Sequence, residues 1–76
     1  PSYPPVARAA HVSGTVTVQV IIDEQGNVIA ARAVDGHPLL QPAAVSAARQ
    51  SRFSRTLLDG EPVRVTGVIK YNFVAR

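Results

Sequence analysis

The chain has 76 residues, a formal charge of +3 from eight Lys and Arg against five Asp and Glu, and no cysteine, methionine or tryptophan. That length makes one domain with a thin core, because so short a chain buries only about 60% of its unfolded surface. It leaves little room for an enclosed substrate pocket, and the missing thiols exclude a disulfide scaffold and thiolate metal sites. No stretch approaches the roughly eighteen apolar residues of a transmembrane helix, and no signal peptide is visible. The start at Pro1 without a Met reads as a domain excised from something longer.

Residues 1–5 (PSYPP) predict an extended segment of polyproline character, the end of a linker. Residues 6–76 form the domain. Val6 to Val12 predicts a short helix opened by Pro5, with Val6, Ala9 and Ala10 as its buried stripe; alone it would be marginal. Ser13 and Gly14 break it. Thr15 to Ile22 then alternates, with Val16, Val18, Val20 and Ile22 on one face, and predicts a half-buried strand. Asp23 to Asn27 is a turn. Val28 to Val34 returns as a second strand whose inward face is ambiguous, because Arg32 shares a side with Val28, Ala30 and Val34. A bulge near Ala30 reconciles the two registers, since one extra residue exchanges the faces.

After the loop Asp35 to Pro38, a helix starts at Leu39 or Leu40 and runs to about Arg52, with Pro42 tolerated in its first turn. Leu40, Ala44, Ala47, Ala48 and Ser51 fall on one face. Phe53 is expected to drop into the core beyond the helix end. Asp59-Gly60 is a turn, and Pro62 to Val74 is the last strand, long against the usual about five or six residues. Along it Val63, Val65, Ile69, Tyr71 and Phe73 point one way, and Arg64, Thr66, Lys70 and Asn72 the other. Gly67 interrupts the inward row and suggests a bulge or a close backbone approach. The expected fold is a two-layer α+β domain of order helix-strand-strand-helix-strand, with helices on one face of a three-stranded antiparallel sheet.

Nothing in the residues points to catalysis, a cofactor or a metal. His11 and His37 have no acid at a convincing spacing, the Asp23 to Asn27 stretch lacks the twelve-residue calcium-loop pattern, and no serine sits in a nucleophile elbow. Arg49, Arg52 and Arg55 recur at near-helical spacing, but a solvated helix end explains them better than a nucleic-acid face. What remains is interaction. A long strand at a chain end suits a sheet edge, and an open edge is a template for another strand.

Three segments, taken in order, resemble the C-terminal domain of TonB-family energy transducers. Tyr3-Pro4 precedes a short helix, Gly14 and the strand Thr15 to Ile22. Asp23, Gly26 and Val28 match the family's Asp-x-x-Gly-x-Val run. Leu40 to Ala44, Arg52-Phe53, Gly60 to Val63 and Gly67 to Phe73 follow. Two positions depart: Ser51 and Arg55 stand where the family usually carries Trp and Pro, which thins the core and loosens the helix end. The resemblance implies a periplasmic domain of a Gram-negative bacterium, anchored in the inner membrane through a proline-rich spacer and an N-terminal helix outside this sequence. It implies binding of the TonB box of outer-membrane active transporters, and work supplied by an inner-membrane proton-driven motor. The box would add as a strand beside the last one, making Val65, Thr66, Gly67, Val68, Ile69, Lys70, Tyr71, Asn72 and Phe73 the partner-binding residues. The competing reading is a structural module that forms a homodimer through the same edge.

Overall fold

The computed structural model describes residues 3–6 and 10–74, and the run with the clearest alternation forms its central strand. In β1 (Gly14–Ile22), Val16, Val18 and Val20 are fully buried, while the residues between them are exposed or half-buried. β2 (Val28–Asp35) pairs antiparallel with β1. Its register shifts twice: Ile21 pairs with Ala30 but Ile22 with Val28, and Val18 with Ala33 but Thr17 with Asp35. The extra residues are Ile29 and Val34. The expected bulge is therefore present at Ile29, and it lets Val28, Ala31 and Ala33 all pack toward the core while Ile29 and Arg32 stay outside.

A turn built on His37 starts the helix. The His37 carbonyl accepts from the amides of Leu40 (2.9 Å) and Gln41 (3.2 Å), and its Nδ1 accepts from the Leu39 amide at 3.1 Å. Helix α1 (Gln41–Arg49) carries Pro42 in its first turn, where a missing amide hydrogen is harmless. Leu40, Ala44 and Ala48 are fully buried against Val16, Val18, Val20 and Phe73. The small alanines let the helix lie close to the sheet. Ser51 donates its hydroxyl to the Ala47 carbonyl at 2.9 Å and finishes the helix end.

Beyond α1 the chain departs from expectation. Three strands follow: β3 (Thr56–Leu58), β4 (Glu61–Val63) and β5 (Val65–Phe73). The single last strand is broken at Arg64, and its first part turns back onto β3 as a separate two-stranded ribbon. The cause is Asp59-Gly60, whose φ values of 50° and 81° match the type I′ hairpin turn that suits the twist of paired strands. Phe53 is 39% exposed and sits outside the core. Its backbone does the holding instead, donating its amide to the Gly26 carbonyl at 2.9 Å, beside an antiparallel bridge between Asn27 and Arg52.

Of the expected first helix, residues 7–9 lie outside those described. Around them, Val6 and Ala10 are exposed, contrary to the expected stripe, and Val12 packs on the core instead. His11 takes a positive φ of 55°, which turns the chain before β1. Tyr3 meets Phe73 edge-to-face, ring centroids 5.7 Å apart, so part of the proline-rich start lies against the end of β5. The described architecture is a small α+β fold: a three-stranded antiparallel sheet ordered β2-β1-β5, one helix, and the β3–β4 ribbon.

Candidate functional site

The strand order makes β5 an edge. β1 occupies one side of it, and among the described residues no strand pairs with the other. Its pairing with β1 runs without a shift from Val65↔Ile22 to Phe73↔Gly14. All nine residues that the resemblance implicates lie on this one strand.

The two edges of the sheet differ in kind. On β2, two bulges disturb the row of outward amides and carbonyls, a device that discourages further pairing. On β5 there is no bulge and no proline, and Lys70 is its one charged residue. An extended chain would find a regular ladder at β5 and an interrupted one at β2.

Side chains on β5 alternate as the sequence predicts. Thr66, Val68, Lys70 and Asn72 are exposed, Val68 by 59%. Val65, Gly67, Ile69 and Tyr71 are half-buried, and Phe73 is buried. A half-buried row at an edge gains burial when another strand is laid beside it, which adds an apolar contribution of about 25 cal/mol per Å² covered. Across the outer face, the Thr15 hydroxyl donates to Asn72 Oδ1 at 2.7 Å and helps hold the register.

Gly67 marks neither a bulge nor a close approach, since the ladder is regular there. A Cβ at this position would lie 3.6 Å from Val20 Cγ2 and 3.9 Å from Ile22 Cδ1, ordinary contact distances. Gly67→Ala is accordingly expected to stabilise the domain by about 0.4–1 kcal/mol, mainly by restricting the unfolded chain. A lower urea midpoint for the variant would contradict this.

Electrostatics steady the far end of the sheet. Asp23 Oδ1 accepts from the amides of Asn27 (2.8 Å) and Gln25 (2.9 Å), and these bonds, the Asn27 one foremost, hold its carboxyl below the usual carboxylate range. Arg64 approaches Glu24 at 3.7 Å and ties the start of β5 to the β1–β2 turn. Both side chains are well exposed, so the pair contributes at most about 1 kcal/mol. The three arginines do not share a helix face: α1 ends at Arg49, leaving Arg52 in the bridge and Arg55 in irregular chain. Among the described residues, no group of three His, Asp or Glu side chains is placed to hold a metal.

Sequence reasoning overlooked two surfaces. The ribbon exposes Leu57 and Leu58, and Asp-Gly between apolar runs was the signal for it. On the outer face of the sheet, a shallow concavity of about 310 Å³ is lined by Gln19, Ile21, Ala30, Ala31, Arg32 and Thr66, with Arg32 Nε donating to Gln19 Oε1 at 3.0 Å. It depends on three strands meeting, and no local pattern announces it.

Comparison with known proteins bears on the whole chain. The family model described as Gram-negative bacterial TonB protein C-terminal matches residues 1–75. Protein TonB of Vibrio cholerae serotype O1 (strain ATCC 39315 / El Tor Inaba N16961) is 38% identical over 65 residues, which cover 83% of this chain and 27% of that relative. The chain thus spans about a quarter of the length of the curated relative it matches.

Proposed function

This chain belongs to the TonB C-terminal family, and from that premise we propose that it is the receptor-binding end of an energy transducer. In this reading β5 captures the TonB box of outer-membrane active transporters by strand addition. The domain works in the periplasm, and the full-length protein is anchored in the inner membrane, where a proton-driven motor acts through the N-terminal part. Residues 1–5 end the spacer, and α1 packs on the apolar face of the sheet. The domain is a binding module, with no enzymatic step of its own. The observation that supports capture most directly is the edge itself: nine residues, regular, free of proline, and paired among the described residues with β1 alone.

The physics suits the task. An added strand makes several main-chain hydrogen bonds worth about 0.5–1.5 kcal/mol each, and these are nearly blind to side chains. One domain can therefore serve receptors with loosely similar segments. Affinity stays moderate because a disordered peptide must be ordered on arrival. A pull along paired strands is shared among their bonds.

Proline tests the edge. Alternate residues of an antiparallel strand turn their amides to opposite sides. Substitutions at Thr66, Val68, Lys70 and Asn72 therefore strike one edge, and those at Val65, Ile69 and Tyr71 the other. One set is expected to break the β1 ladder and lower the melting temperature. The other set should leave melting nearly unchanged and reduce binding of synthetic plug-segment peptides by about tenfold or more. If no substitution weakens binding without unfolding the domain, β5 is not the site. The open edge and the exposed Leu57 and Leu58 also favour a second reading, self-association. Sedimentation showing a tight dimer with no peptide affinity would replace the first reading with it.

A further inference from the structure

We propose that Gly67 selects the strand this edge accepts: the captured segment carries a large apolar or aromatic side chain at the position facing Gly67. The inference rests on capture at β5 and names the side-chain class that capture takes.

Every other member of the inner row fills its place. Val65, Ile69 and Tyr71 are half-buried and Phe73 is buried, so Gly67 leaves one notch in an apolar row. The backbone gives no reason for a glycine there. The ladder has no bulge at the Val20↔Gly67 pair, and Gly67 is not among the glycines with positive φ. Of the described atoms, only Val20 Cγ2 and Ile22 Cδ1 come within 4 Å of where its Cβ would be. Among the described atoms, the notch is bounded by aliphatic groups of the central strand.

A strand laid along β5 places one residue directly opposite Gly67, with Cβ positions of opposed residues about 4.5–5.5 Å apart. A ring or long aliphatic chain there can lie across the glycine and cover backbone that is only half-buried. This is how an aromatic neighbour compensates a glycine in a sheet. Opposite Val65 or Ile69 the row is already filled, so a ring gains less. A charged residue facing the notch would lose water with no partner in the inner row, which carries no charge. The hydrogen bonds of capture are sequence-blind, and the notch supplies a preference at one position.

The test uses a host peptide of alternating Thr and Val, with a single Phe stepped through every position, against the 76-residue chain, Gly67→Val and Gly67→Ala. Melting curves establish that each variant is folded. The wild-type chain is expected to favour Phe at the alternate positions of one face by about two- to fivefold, since a periodic host can shift its register by two residues. Gly67→Val should abolish that preference while still binding the host peptide, and Gly67→Ala should reduce it; the alanine variant carries the test if the valine variant does not fold. A preference that survives both substitutions, or that is equal at all positions, overturns the inference. So does a series that fails to bind wild type while plug segments still bind in a proline-sensitive way, which leaves capture standing. If neither the series nor plug segments bind, both readings fall together.

Discussion

Replacing Gly26 with alanine is expected to cost about 2–6 kcal/mol of stability, from backbone strain and a disrupted buried hydrogen bond together. Gly26 is buried at the tip of the β1–β2 turn with φ at 87°, a conformation that side chains resist. Its amide donates to the Asp23 carbonyl at 3.1 Å, and its carbonyl accepts from Phe53 at 2.9 Å. A Cβ there would collide with the Phe53 carbonyl oxygen, which is backbone and cannot rotate away. The strand turn and the chain leaving α1 would have to separate, taking the Asn27–Arg52 bridge with them.

For a domain of this size each kcal/mol lowers Tm by about 4–8 °C, so a loss of tens of degrees is expected in a thermal scan. Gly60→Ala supplies the control. Gly60 has a similar φ of 81°, but nothing lies within 4 Å of its Cβ position. It should lose only about 1 kcal/mol or slightly more, the cost of the conformation alone. Equal melting of the two variants would mean that the approach to Phe53 does not hold the fold together.

The second large effect is expected at Leu40. Leu40→Ala should lose about 2–5 kcal/mol, the usual range for emptying a buried leucine site. A domain of this length has a total stability of only about 4–11 kcal/mol, so the variant should be partly or wholly unfolded at 37 °C. Leu40 is fully buried, touches the cluster of Val16, Val18 and Val20, and stands at the helix start, so its loss also loosens how α1 sits on the sheet. Leu39, next to it, is only half-buried and should lose markedly less on the same truncation. Urea midpoints measured side by side check the ordering. Similar values for the two would move the packing centre away from Leu40.

Where a pattern is local, the sequence carried it. The alternation of Val16, Val18 and Val20 became the buried face of β1, and the conflict around Arg32 became a bulge one residue from its expected place. Leu40, Ala44 and Ala48 kept their helical stripe, although the helix stopped at Arg49 because the chain after it is drawn to Gly26. Phe53 misled because a lone aromatic after a helix implies burial, yet here its backbone makes the contact. The ribbon was missed for a related reason. Thr56 to Leu58 is too short to show a period, and its identity as a strand comes from its partner across Asp59-Gly60.

For the candidate site the division is sharper. Side-chain period alone determined which residues of Val65 to Phe73 face inward, because successive side chains must leave opposite sides of an extended backbone. The same period could not say where the strand began, since Val63 and Val65 keep phase across the break at Arg64. Nor could it say which strand would stand at the margin. Strand order is a matter of pairing between segments distant in the chain: Gly14 meets Phe73 and Ile22 meets Val65. Only that arrangement leaves β5, among the described residues, with a regular free side and β2 with a bulged one, and only it turns the missing side chain of Gly67 from a gap in a row into a notch at an edge.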